Sequence, residues 1–370
     1  MSEAMRIPCV LMRGGTSRGP VFLASDLPAD PARRDAVLIA VMGAGHALQV
    51  DGLGGGNPLT SKVAIVSPST DPESEIDYLF AQVKVTERRV DTGPNCGNML
   101  AAVGPFAIEQ GLIAARPGTT RVRIRNVNTG KRIIAEIATP GGRVTYAGDA
   151  RIDGVPGTAA PVRLIFADAA GAKTGRLLPS GQAQDMVEGI AVTCLDAATP
   201  VVLLRAADFG KTGHEAPEAL DADPQFLARL EQVRLAAALR MGLPAATGSV
   251  LPKPVLLAAG ENGAAITARY FMPHACHKAL AVTGAVAIAT ACATPGTLAA
   301  ALTGPLTLPG PLAIAHPAGT LTLELTPGRD GVPEVALLRT TRRIFEGTVF
   351  VDPAALRLED AAAEAPARAA

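Results

Sequence analysis

A chain of 370 residues exceeds the roughly 250–300 at which a single hydrophobic core stops growing, so two domains are the default expectation. Hydrophobic residues make up 48% and charged residues 18%, which is ample for burial and excludes a disordered polymer. Lys plus Arg and Asp plus Glu are each 34, aromatics are 3% and Trp is absent. The chain therefore has neither the basic excess nor the stacking side chains of a nucleic-acid binder.

Gly (38) and Pro (30) punctuate short segments, which reads as many strands and tight turns. No apolar run reaches the ~20 residues that span a bilayer. The opening MSEAMRIPCVLMRGG has too short an apolar stretch for a secretion signal and no small-residue cleavage pattern. Cys9, Cys96, Cys194, Cys276 and Cys292 are odd in number and scattered. They suit a reducing cytoplasm better than a disulfide framework, so a cytoplasmic location is expected.

In chain order, the elements fall into a weak internal repeat. GPVFLASDLPAD from Gly19 and TPVVLLRAADFG from Thr199 are each a β-rich run followed by an acidic turn. Each leads into a helical stretch ending Met-Gly, Ala32 to Gly43 and Phe226 to Gly242. In the second, Phe226, Leu227, Leu230, Val233 and Leu235 follow helical spacing. SKVAIVSP at Ser61 then parallels PKPVLLAAG at Pro252, setting Lys62 opposite Lys253, and YLFAQVKV at Tyr78 parallels AAITARYF at Ala264. Last, each half shows a glycine turn opening an almost uncharged helix, Thr92 to Leu112 and Ala279 to Ala293. A helix apolar on all sides belongs inside a protein, so each half reads as a curved sheet wrapped around one central helix. Arg121 to Gly189 reads as further strands of the first half, including RVTYAGDARIDGVPGTAAPVRLIF, and Leu312 to Phe350 as the last strands of the second. The expected division is 1–187 and 188–342, with a return strand near 343–352 completing the first domain and a frayed tail over 359–370.

Four segments could carry chemistry. RGGTSRG, Arg13 to Gly19, has adjacent glycines that allow close backbone approach, and Thr16 and Ser17 as donors to a carboxylate or phosphate; a plain hairpin turn is the alternative. DGLGGGNPLTSKVAIV, Asp51 to Val66, fails both the P-loop spacing and the dinucleotide fingerprint. It leaves Lys62 at the start of an apolar strand. There an amine loses charge more easily and can act as a base, unless it merely snorkels from a strand end. DTGPNCGNML, Asp91 to Leu100, puts Cys96 at a helix start between Asn95 and Gly97-Asn98. Helix N-termini activate thiols and attract anions. FMPHACHKALAVTGA, Phe271 to Ala285, holds His274, Cys276 and His277, but no second His/Cys cluster exists to complete a zinc site, so no metal is expected. Thr283-Gly284-Ala285 is the second-half counterpart of the Cys96 turn. No Ser-His-Asp arrangement is visible. The implied reaction is proton abstraction beside a carbonyl or unsaturated acid, at a site between the halves for a substrate with several carboxylates.

RIPCVLMRGGTSRG, DGLGG with LTSKVAIV, DTGPNCGN and PHACH with TGA together resemble the PrpF family of the diaminopimelate-epimerase-like fold, from Arg6 to about Phe350. Within that family IDYLFAQV, YAGDARIDGVPG and VEGIAVTCLD look most like the 4-oxalomesaconate tautomerases of gallate and protocatechuate breakdown. The resemblance implies an α+β fold of two pseudo-symmetric domains, each a curved sheet or barrel around a central helix, and cofactor-free proton transfer in the cleft. It makes Lys62 the base and Cys96 the thiol. Substrate binding would fall to Thr16, Ser17, Arg18, Asn57, Ser61, Asn95, Gly97, Asn98, Arg269, His274, His277, Thr283 and Gly284. Relatives often carry GGTSKG; Arg18 keeps the cation and adds a bidentate fork. Thr283 stands where two-thiol epimerases of this fold have a second Cys, so one base and one thiol fit a tautomerase or allylic isomerase. The competing readings are a 2-methylaconitate or methylitaconate isomerase and, from another class, a non-catalytic accessory protein of an aconitase-type enzyme. The partner expected is a di- or tricarboxylate substrate, with no nucleic acid and no membrane; a homodimer is left open.

Overall fold

The structure, a computed structural model, describes residues 4–243, 249–272, 274–328 and 331–353; the expected frayed tail lies outside them. In chain order the first group of elements is β1 (Met5–Gly14), β2 (Ser17–Leu23), α1 (Pro31–Met42), β3 (Lys62–Pro68), β4 (Ile76–Val83), β5 (Val90–Asp91), α2 (Gly97–Glu109), β6 (Gly118–Asn126), β7 (Arg132–Thr139) and β8 (Pro161–Phe166). The second is β9 (Asp185–Val187), β10 (Ile190–Ala197), β11 (Thr199–Arg205), α3 (Pro217–Asp221), α4 (Pro224–Arg240), β12 (Lys253–Ala259), β13 (Ile266–Tyr270), α5 (Val282–Cys292), α6 (Leu298–Thr303), β14 (Gly310–His316), β15 (Gly319–Thr326) and β16 (Glu334–Val351).

The repeat is visible in the sense of each ladder. β2–β3 is parallel, β3–β4 antiparallel, β4–β6 parallel and β6–β7 antiparallel. The series β11–β12, β12–β13, β13–β14 and β14–β15 repeats those four senses. Strand β16 joins the two series. It pairs β15 and β8 at its start and then β1 from Gly14↔Thr341 to Met5↔Val351.

Helices α2 and α5 are the uncharged segments, and each is buried along nearly its whole length. Around them lies one apolar cluster fed by alternate residues of the strands, such as Val10 and Met12 of β1. The intervening residues, Ile7 and Cys9, face the other way and pack with Val37, Leu38 and Val41 of α1. Helix α4 covers the second series likewise through Phe226, Leu230 and Val233. The sheet is thus covered on both faces where α1 and α4 pack, while β6 and β15 alternate buried with exposed residues, which places this α+β fold among helix-on-sheet layer architectures.

Two expectations need correction. Residues 143–160 form no strand beyond the isolated bridge Ala150↔Ala159, because Gly148, Gly154, Pro156 and Gly157 interrupt any ladder. Strand β9 pairs with β10 and so extends the second series rather than the first. Among the described residues no helix is long and apolar enough to cross a membrane.

Candidate active site

Between the two series lies a cavity of about 210 Å³ whose walls include Lys62, Cys96, Ser17, His277, Lys253 and Thr283. Lys62 is the first residue of β3, and its Nζ lies 3.7 Å from Cys96 Sγ and 5.2 Å from the centre of the Phe80 ring. The two residues are only 9% and 7% exposed, so their exchange of charge takes place largely out of water. Backbone geometry fixes the lysine: a Cβ on Gly19 would come 1.6 Å from the Lys62 carbonyl oxygen, so glycine alone lets β2 approach there.

Cys96 is the N-cap of α2, in extended conformation, and no side chain caps that helix. The Tyr78 hydroxyl donates to the Cys96 carbonyl at 3.0 Å and ties the turn to the core. Helix α5 also starts without a side-chain cap, from Ala281. The two helix starts meet at Gly97, where a Cβ would lie 2.4 Å from Val282 Cγ1. Their first N–H groups lack helical partners and carry the positive ends of two dipoles, a setting for carboxylates. Aligned N-cap to N-cap, the counterpart of Cys96 is Ala281, and Thr283 matches Asn98. The start of α5 thus carries no thiol, and the position without one is Ala281 rather than Thr283, which the sequence alignment suggests.

Polar groups complete the wall. Ser17 Oγ is buried without a hydrogen-bond partner among the described residues. Asn95 Nδ2 donates to the Ala198 carbonyl at 2.9 Å, fastening the Cys96 turn to the other series. Asn98 Nδ2 donates to Thr16 Oγ1 at 3.1 Å, which holds the glycine hairpin against the start of α2. His277 Nδ1 accepts the Ala279 N–H at 2.9 Å. Burial first, then the nearby Lys62 charge, pulls this histidine down to about 4, so the ring is neutral and presents Nε2–H. Lys253, the first residue of β12, is pulled down to about 7 by burial and then by Lys62. Burial and Cys96 hold the Tyr270 phenol well above its ordinary value.

Of the residues expected from sequence, Ser17, Asn95, Gly97, Asn98, His277 and Thr283 line this cavity with Lys62 and Cys96. Thr16 stands one hydrogen bond behind it. The others do not line it. Asn57 caps the turn Pro58–Thr60 by accepting the Leu59 N–H, and Ser61 is engaged with Val83 and Gln49. Arg18 lies against Gly55, and its Nε has no partner among the described residues. Arg269 donates from Nε to the Glu215 carbonyl and lines a separate surface cleft. His274 is exposed, and Gly284 packs under the Tyr270 ring, where a Cβ would meet Cε2 at 2.4 Å. Lys253 and Tyr270 were not among the expected site residues. The repeat that sets Lys253 opposite Lys62 is the signal that finds the first.

The family model described as PrpF protein matches residues 4–352. The chain is 55% identical over 348 residues to the putative isomerase YbhH of Escherichia coli, covering 94% of this chain and 99% of that one. It is 50% identical over 349 residues to a 4-oxalomesaconate tautomerase of Pseudomonas putida, covering 94% and 96%. Among solved structures, a methylitaconate-delta-isomerase superposes with a TM-score of 0.83 at 38% identity, covering 96% of this chain and 98% of that one.

Proposed function

Because the chain belongs to the PrpF family, we propose that it is an isomerase that moves a proton on an unsaturated keto tricarboxylate, 4-oxalomesaconate. The observation that carries this reading is the 3.7 Å approach of Lys62 Nζ to Cys96 Sγ in a cavity faced by two uncapped helix starts. A polyanion needs N–H groups and dipoles for its carboxylates, and a carbon acid needs a base within reach of its proton.

In this mechanism the amine of Lys62 takes a proton from the methylene beside the keto group. The C–H electron pair enters the conjugated system as a dienolate. Its oxygens are held by the N–H groups at the starts of α2 and α5, by Ser17 Oγ and by His277 Nε2–H. Protonation on oxygen gives the enol. Protonation of the distal alkene carbon by the Cys96 thiol instead moves the double bond. The thiolate left on Cys96 then recovers a proton from the Lys62 ammonium across the same 3.7 Å gap, which restores both groups. That contact favours the double-bond shift as a second outcome on the same substrate, in keeping with the name of the methylitaconate-delta-isomerase.

Enzymatically generated 4-oxalomesaconate, followed by ultraviolet absorbance and proton NMR, tests the reading. Turnover without added partner, lost in Lys62→Met by about a thousandfold, is expected. Full turnover by that variant would sink the assignment. Faster conversion of methylitaconate or 2-methylaconitate would move the substrate but keep the residues. Substrate methylene deuterium in light water should reappear in part at the distal carbon of a later substrate molecule, because Lys62 hands it to Cys96 only after the thiol has delivered its own proton.

A further inference from the structure

A second cavity, of about 180 Å³, opens where β15 and β16 part. Their ladder ends at Leu323↔Leu337. Beyond it β15 stays with β14 through Thr322, Leu321 and Thr320, while β16 turns to β8 and β1. Arg339, in this gap, is 5% exposed and lines the cavity. One guanidinium nitrogen donates to the neighbouring Leu338 carbonyl, and its buried Nε has no partner among the described residues. It pairs with no carboxylate among the described residues, and burial alone pulls it down to about 10. Burying an uncompensated charge is costly, and a protein that keeps one usually supplies its counter-ion.

The remaining lining points the same way. Arg151 adds a second cation at the exposed mouth. Asp153, the one acid in the wall, is exposed and spends Oδ2 on the Thr320 N–H at 2.7 Å. His316 accepts the Ala318 N–H at Nδ1, so the neutral ring offers Nε2–H. Thr16 lines this cavity while bonding Asn98 of the first, so the two cavities share a wall without sharing Lys62 or Cys96.

We propose that the cavity between β15 and β16 is a second anion site, in which Arg339 forks a small carboxylate or phosphate with Arg151 and His316 as supporting donors. The site itself does not rest on the reaction assigned above; only its independence from the first cavity, read from KM, does. Malonate and inorganic phosphate, titrated separately by calorimetry into the full chain, distinguish the two anion classes. Arg339→Met should lower the affinity for the bound anion at least about tenfold, as expected for lost charge-assisted hydrogen bonds. Arg151→Ala, at an exposed position that does not endanger folding, should lower it about threefold. Turnover of 4-oxalomesaconate should keep its KM within about twofold in both variants. Anion binding unchanged in both variants would come from the first cavity and would overturn the site, as would binding of neither anion by the wild-type chain. A KM that rises in step with the lost anion affinity would make the cavity a limb of the catalytic one and overturn its independence.

Discussion

Replacing Lys253 by Met removes an amine that the fold holds under strain of charge, and the effect should depend on pH with a definite sign. Burial first and the Lys62 charge second bring Lys253 from its ordinary 10.5 to about 7. At about 1.4 kcal/mol per pH unit the ceiling is roughly 5 kcal/mol. The side chain is only partly buried at the cavity wall, so solvent screening reduces this to about 2–3 kcal/mol. Below pH 7 both folded and unfolded chains carry the proton, and the folded state bears the whole cost of the charge. Above 10.5 both are neutral and the cost is gone. Wild-type stability from this group therefore rises as pH rises from 7 to 10.5, and the gain on Lys253→Met is largest near pH 7 and fades above it. Urea midpoints of both proteins at about pH 6.5, 8 and 9.5 measure the difference. Packing of the methionine adds an offset that does not vary with pH, so the slope decides. A difference that is flat, or that grows with pH, would refute the reasoning.

Cys96→Ser keeps a donor at the α2 start but loses an easily ionised one; solvent deuterium should still enter the substrate methylene while double-bond transfer falls about a hundredfold, as separate NMR integrals would report. Gly97→Ala puts a methyl 2.4 Å from Val282 Cγ1 and should cost about 1–3 kcal/mol in thermal or urea unfolding, with a raised KM as the helix starts are forced apart. His277 titrates near 4 rather than 6.5, so the wild-type chain loses up to about 3 kcal/mol as pH falls from 6.5 to 4, and His277→Gln should flatten that acid limb. An acid limb of the same size in the variant would assign it to other groups.

What could be read from sequence was whatever depends on short-range pattern. The segments that became α2 and α5 declare burial because they carry almost no charge, and the strand after Ser61 declares itself by its unbroken apolar run. The site was legible where a residue sits at an element boundary, as Lys62 and Cys96 do. It was not legible where distant packing decides which way a side chain turns. Asn57 has the look of a ligand contact but its carboxamide caps a turn, and Arg269, on a buried strand, turns its guanidinium to the Glu215 carbonyl away from the cavity. The segment 143–160 carries β-branched Val144, Thr145, Ile152 and Val155, yet its glycines and Pro156 leave no ladder to join.

Duplication explains why one scaffold can bind evenly and react unevenly. Each half brings a parallel strand pair with a lysine at its start and a buried helix with an uncapped first turn, so anionic groups find similar seats on both sides. The N-caps break the symmetry, with a thiol at Cys96 and a methyl at Ala281. Inversion of a carbon centre needs an acid and a base on opposite faces of one atom. Here the thiol stands beside Lys62 on one wall, and the start of α5 brings no thiol to the cavity. In the roles proposed for Lys62 and Cys96, one wall both removes and delivers the proton, which favours a suprafacial shift between two carbons of a planar dienolate over racemisation.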